Sequence, residues 1–141
     1  MSSRPIVLLV EDNEVNQLLT ASVLEREGFA VDIAANATQA LEQLRARTPD
    51  LILMDVQLPG MDGLSLTRRL KTDPATAPIT IVALTAHAMT GDREQTLAAG
   101  CDGYLSKPID TRTFGRQVRE FLPRTAAVSG PARTDATLNG K

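Results

Sequence analysis

Five short apolar runs recur along this chain, and a stretch with helical spacing follows each of them. The runs are Pro5-Ile6-Val7-Leu8-Leu9-Val10, Ala30-Val31-Asp32-Ile33-Ala34, Leu51-Ile52-Leu53-Met54, Ile79-Thr80-Ile81-Val82-Ala83-Leu84 and Gly103-Tyr104-Leu105-Ser106. Short continuous apolar runs bounded by turn residues read as strands buried on both faces. The Ala30–Ala34 run is weaker and partly alternating, as an edge strand would be. Five such strands alternating with five helices predict an α/β domain, doubly wound about a parallel sheet.

The helical stretches carry their own start and stop signals. Asp12 or Asn13 can cap the first, whose spacing places Val15, Leu18, Leu19, Ser22 and Val23 on one face, and Gly28 stops it. The second runs from near Thr38 to Arg47 with Ala40, Leu41 and Leu44 inward. The third runs from about Gly63 to Lys71 and presents Leu64, Thr67 and Leu70. The fourth, about Met89 to Ala99, has little to bury beyond Met89 and Leu97, which predicts weak anchorage. The fifth, about Thr111 to Leu122, places Phe114, Val118, Phe121 and Leu122 together.

A chain of 141 residues suggests one domain with a tail. Residues 1–122 read as the domain. From Pro123 to Lys141 the composition shifts to small and polar residues without periodicity, which reads as a disordered tail or linker. The net charge is −2 and there is no basic run, so no nucleic-acid partner is predicted. A single cysteine, Cys101, excludes an internal disulfide and reads as a small buried residue in a reducing compartment. Neither a signal peptide nor a bilayer-spanning stretch is visible, so the expectation is a soluble cytoplasmic protein with no membrane partner.

Parallel α/β sheets collect their chemistry at the carboxyl ends of the strands. Here those ends supply Glu11 and Asp12, Asp55, Thr85 and Lys107. Each has an ordinary reading when taken alone. Glu11 and Asp12 would serve a helix dipole, Asp55 a turn, and Thr85 a cap, while Lys107 would be a solvated charge. Tyr104 alone is a half-buried aromatic. The ordinary readings leave the conjunction unexplained, with each polar type at the end of its own strand. Three gathered carboxylates call for a divalent cation, and hard oxygen ligands with room for phosphate oxygens favour Mg²⁺. A lysine and a hydroxyl nearby suit a transferred phosphoryl group. A carboxylate such as Asp55 can itself be the nucleophile and become an acyl phosphate.

Over about Arg4 to Leu122 the sequence resembles the receiver domains of two-component response regulators. The matching stretches are Val10-Glu11-Asp12, Met54-Asp55-Val56-Gln57-Leu58-Pro59-Gly60-Met61-Asp62-Gly63, Leu84-Thr85-Ala86 and Gly103-Tyr104-Leu105-Ser106-Lys107-Pro108. The resemblance implies a flavodoxin-like (βα)5 sheet of strand order 2-1-3-4-5. It implies that Asp55 accepts a phosphoryl group from a phosphohistidine on a histidine kinase or histidine phosphotransfer protein. Glu11, Asp12 and Asp55 would hold Mg²⁺ with the main-chain carbonyl of Gln57. Lys107 would pair with the phosphoryl group, and Thr85 would hydrogen-bond it. Tyr104 would be the aromatic switch, and Lys107-Pro108 a cis peptide.

The readout face would comprise the fourth helix, the fifth strand and the fifth helix, presented to a downstream protein effector. The face holding the first helix would meet the phosphodonor. Gln57 and His87, each two residues after a pocket group, would tune the lifetime of the acyl phosphate. The chain would catalyse only its own phosphorylation and dephosphorylation, as a monomer or a phosphorylation-linked dimer. Met1 directly before the domain favours a stand-alone regulator. The alternative is a receiver fragment of a hybrid kinase or multidomain regulator. A phosphatase of the haloacid dehalogenase type also uses a strand-end Asp, but it usually carries a second Asp where this chain has Gln57. A receiver that only binds partners would lack a pocket group, and none is missing.

Overall fold

The computed structural model describes residues 4–57, 62–85 and 92–122. Its elements run β1 (Ile6–Val10), α1 (Glu14–Arg26), β2 (Ala30–Ala34), α2 (Ala37–Ala46), β3 (Leu51–Asp55), α3 (Gly63–Thr72), β4 (Thr80–Thr85), α4 (Asp92–Ala98), β5 (Gly103–Ser106) and α5 (Phe114–Phe121). The five strands form one parallel sheet in the order β2-β1-β3-β4-β5. Strand order and alternation agree with the sequence reading. Residues 58–61, 86–91 and 123–141 lie outside the described residues, and with them the expectations for His87, Met89 and the tail.

The central strand shows why the apolar runs are continuous. Leu51, Ile52, Leu53 and Met54 are all fully buried, alternately on opposite faces. Burying each contributes roughly 1.5–3 kcal/mol. Ile52 and Met54 join Leu8, Val10, Ile81 and Ala83 under α2, α3 and α4. Leu51 and Leu53 join Val7, Leu9, Val82 and Leu84 under α1 and α5, whose Val23, Leu24, Phe114 and Val118 close that layer. The edge strand β2 is half-buried along most of its length, as its alternation predicted.

Helix ends follow the expected chemistry. Asn13 caps α1, its side-chain oxygen accepting the Asn16 N–H at 3.0 Å. Gly28 beyond the last turn has φ +100°, the left-handed conformation that ends a helix. Asp62 caps α3 by accepting from the Ser65 N–H at 2.8 Å.

Two faces were misread. Val15 and Leu18 are exposed by 72% and 70%, and Leu19 is also exposed, whereas Thr20, Ala21, Val23 and Leu24 face the core. Apolar residues surround α1, so spacing alone does not select its inward side. Likewise Leu97 of α4 is exposed and does not anchor the helix. Among the described residues of α4, the buried one is Thr96, with Ala99 and Cys101 buried just beyond.

Candidate functional site

Parallel register brings the strand ends to one edge. Val10 pairs with Met54, Asp55 with Leu84, and Thr85 with Ser106. The residue following β1, the last residues of β3 and β4, and the residue following β5 therefore meet. Carboxylate oxygens of Glu11, Asp12 and Asp55 all lie within 4.8 Å of one another. Glu11 and Asp55 are buried, and Asp12 is exposed. The Lys107 ammonium lies 3.1 Å from Asp55 Oδ2 and 3.4 Å from Glu11 Oε1.

This cluster is short of positive charge. Burial pushes the Glu11 carboxyl up from its ordinary value, and the neighbouring Asp55 carboxylate pushes it further. Lys107 and the Asn13 N–H, which donates to Glu11 Oε2 at 3.2 Å, pull the other way without cancelling the rise. Three hard oxygen donors that one ammonium does not balance fit a small divalent cation. Such a cation, when bound, would neutralise both the carboxylates and the oxygens of an incoming phosphoryl group. Glu11, Asp12 and Asp55 are the residues that would hold it.

Asp55 is fixed from behind as well as beside. Its Oδ1 accepts the Gln57 N–H at 3.0 Å. Gly63, the first residue of α3, sits directly against its main chain, where an added Cβ would lie 2.0 Å from the Asp55 carbonyl oxygen. The Gly63 N–H donates to Val56 O at 2.9 Å, closing the turn. Sequence reasoning missed this constraint. Its only trace is a glycine at the start of a helix, at a position whose backbone does not adopt the left-handed φ that would otherwise call for one.

Thr85 is buried at the end of β4, and its carbonyl accepts the Lys107 N–H at 2.9 Å. Tyr104 is half-buried and packs on the layer beneath α2, α3 and α4. It pairs with Ala83 across the β4–β5 ladder. Thr85 lies two residues beyond Ala83 and so on the same face of the sheet as Tyr104. The Lys107-Pro108 peptide is cis, as expected. Gln57 is exposed at the rim. Cys101 is buried, its sulfur 3.8 Å from Thr67 Oγ1, and burial raises its thiol pKa.

Beside the acids, a cavity of about 300 Å³ opens between Asn16, Leu19 and Thr20 of α1 and Lys107, Pro108 and Ile109. It runs from the exposed Leu19 of α1 to Glu11 and Lys107. Among the described residues, no helix is long and apolar enough to cross a membrane.

Residues 7–119 match the family model of the response regulator receiver domain. A curated relative, the polar-differentiation response regulator DivK of Brucella anthropi, is 41% identical over 116 residues, covering 82% of this chain and 94% of the relative. Among solved structures, the receiver domain of a sensor histidine kinase from Pseudomonas aeruginosa is 38% identical with a TM-score of 0.77, covering 84% of this chain and 98% of that one. That structure has a magnesium ion coordinated in its active site cleft. The chemotaxis response regulator CheY4 of Vibrio cholerae, 24% identical, shares the fold with a TM-score of 0.80, over 85% of this chain and all of that one.

Proposed function

The chain belongs to the family of response regulator receiver domains, and we propose that Asp55 is its phosphoryl-accepting residue. An Asp55 carboxylate oxygen attacks phosphorus of a phosphohistidine on a histidine kinase or histidine phosphotransfer protein. A P–O bond forms as the P–N bond breaks, and the imidazole leaves with the electron pair and takes up a proton. The observation that carries this reading is the Lys107 ammonium 3.1 Å from Asp55 Oδ2, beside a triad of carboxylates. Lys107 offsets charge on the phosphoryl oxygens, and Thr85 donates a hydrogen bond to them. Glu11, Asp12, Asp55 and the Gln57 carbonyl would hold Mg²⁺, which would supply the remaining positive charge. The magnesium in the Pseudomonas receiver supports that choice of ion.

Thr85 and Tyr104 form the switch. They share one face of the sheet, so a hydroxyl drawn toward the phosphoryl group vacates space on the side where Tyr104 packs. The α4–β5–α5 face then changes for a downstream protein effector. Gln57 and His87 tune the lifetime of the acyl phosphate by ordering the attacking water. The phosphodonor meets Val15, Leu18 and Leu19 of α1 and the cavity beside them. Burying these exposed apolar residues against a partner helix would drive that contact.

The receiver spans residues 1–122, with residues 123–141 as a tail or linker. It acts in the cytoplasm as a stand-alone regulator, catalysing only its own phosphorylation and dephosphorylation. The near-complete coverage of the DivK relative favours this over a kinase fragment.

The test is intact-protein mass after incubation with Mg²⁺ and phosphoramidate, a small donor with a P–N bond. The expected gain is one phosphoryl group, absent without Mg²⁺ and absent in Asp55→Asn. Steady turnover of a generic phosphate ester with no retained label would instead favour a phosphatase.

A further inference from the structure

The Glu11–Asp12 pair lies between β1 and α1, outside any regular element, so something else must fix its backbone. Two hydrogen bonds do so. The Glu11 N–H donates to Ala34 O at the end of β2, at 2.9 Å. Gln17, half-buried in the second turn of α1, donates its Nε2 to Glu11 O at 2.6 Å. That carbonyl belongs to the peptide joining Glu11 to Asp12. Rotation of this peptide would swing Asp12 away from Asp55. None of the side-chain hydrogen bonds among the described residues holds the exposed Asp12 carboxylate. Its aim is therefore set by the main chain, which Ala34 holds on one side of Glu11 and Gln17 holds at the Glu11–Asp12 peptide itself.

We infer that Gln17 is a positioning residue for the cation site, locking the Glu11–Asp12 peptide so that all three carboxylates converge. It touches neither cation nor phosphoryl group and acts through the acids. The inference rests on the reading of Glu11, Asp12 and Asp55 as holders of a divalent cation.

Gln43 provides a matched control. Its Nε2 donates to Ile33 O at 2.6 Å, the same kind of bond from α2 to the edge strand, one residue before Ala34 and with no direct hydrogen bond to the acids. Gln17→Met and Gln43→Met each remove one such bond while keeping side-chain length. Magnesium chloride titrated calorimetrically into the full chain should bind Gln17→Met about tenfold more weakly than the wild type. Gln43→Met should bind as the wild type does. With phosphoramidate, the Mg²⁺ concentration for half-maximal labelling of Gln17→Met should rise by the same factor, with the rate at saturating Mg²⁺ retained. Gln17→Asn, whose amide is too short to reach the carbonyl, carries the same expectation and decides the matter if Gln17→Met does not fold. Unchanged Mg²⁺ affinity in a folded Gln17 variant, or an equal loss in Gln43→Met, overturns the role of Gln17 alone. Absence of Mg²⁺ binding by the wild type overturns the reading of the site and this inference with it.

Discussion

Glu11 is where the charge imbalance of the site is felt most. Its carboxyl is raised above the ordinary 4.5, chiefly by burial and then by Asp55. Between 4.5 and the raised value the native state binds more protons than the unfolded chain. In the cation-free protein, stability contributed by this group is therefore present below that window and lost as pH climbs through it. Glu11→Gln should abolish this loss and raise the cation-free melting temperature at pH 8 by roughly 3–6 °C, while weakening Mg²⁺ binding. A melting temperature that falls at pH 8 would show that the Lys107 contact outweighs burial. At this scale the acids, the lysine and the threonine were legible in sequence because each ends an apolar strand, and parallel strands align their ends. Gln17 was not legible, because its reach to Glu11 depends on how α1 is rotated.

Among the elements, α3 and α4 show opposite kinds of constraint. The start of α3 is pressed against Asp55, and Gly63→Ala would force the two backbones apart. We expect a loss of about 1–3 kcal/mol in unfolding free energy, with slower phosphoramidate labelling even where the protein is folded. In α4 a polar residue takes a buried position. Among the described residues, the Thr96 hydroxyl is buried with no hydrogen-bond partner, and Leu97 points to solvent. Thr96→Val keeps the shape and removes the unpaired hydroxyl, so it should raise unfolding free energy by about 1 kcal/mol. The check is a denaturant midpoint that rises at constant slope. The shortage of large apolar residues in α4 was legible in the sequence, and among the described residues of the helix none of the buried positions carries one. The inward face of α1 was not legible, because apolar residues on every side of a helix leave its rotation undetermined.

Across the whole molecule, the groups at the strand ends are divided between the two faces of the sheet. Glu11 and Lys107 border the α1-side cavity, whereas Tyr104 packs beneath α2, α3 and α4. Under the proposed function the readout face would draw on both layers, since α5 packs beside α1 while Tyr104 packs on the other face of the sheet. Leu18→Glu, on the exposed stripe of α1, should leave folding and phosphoramidate labelling unchanged and slow transfer from a phosphorylated histidine phosphotransfer protein by tenfold or more. Equal slowing with both donors would place Leu18 in the fold and not in the docking face. The central claim is an acyl phosphate on Asp55, and borohydride trapping tests it most directly. An acyl phosphate is reduced to an alcohol, which converts a phosphorylated Asp to homoserine. After labelling with Mg²⁺ and phosphoramidate, then reduction and peptide mass mapping, the account predicts homoserine at position 55 alone, and none when Mg²⁺ is withheld. Homoserine at position 12, or a phosphoryl group recovered on His87, would contradict it.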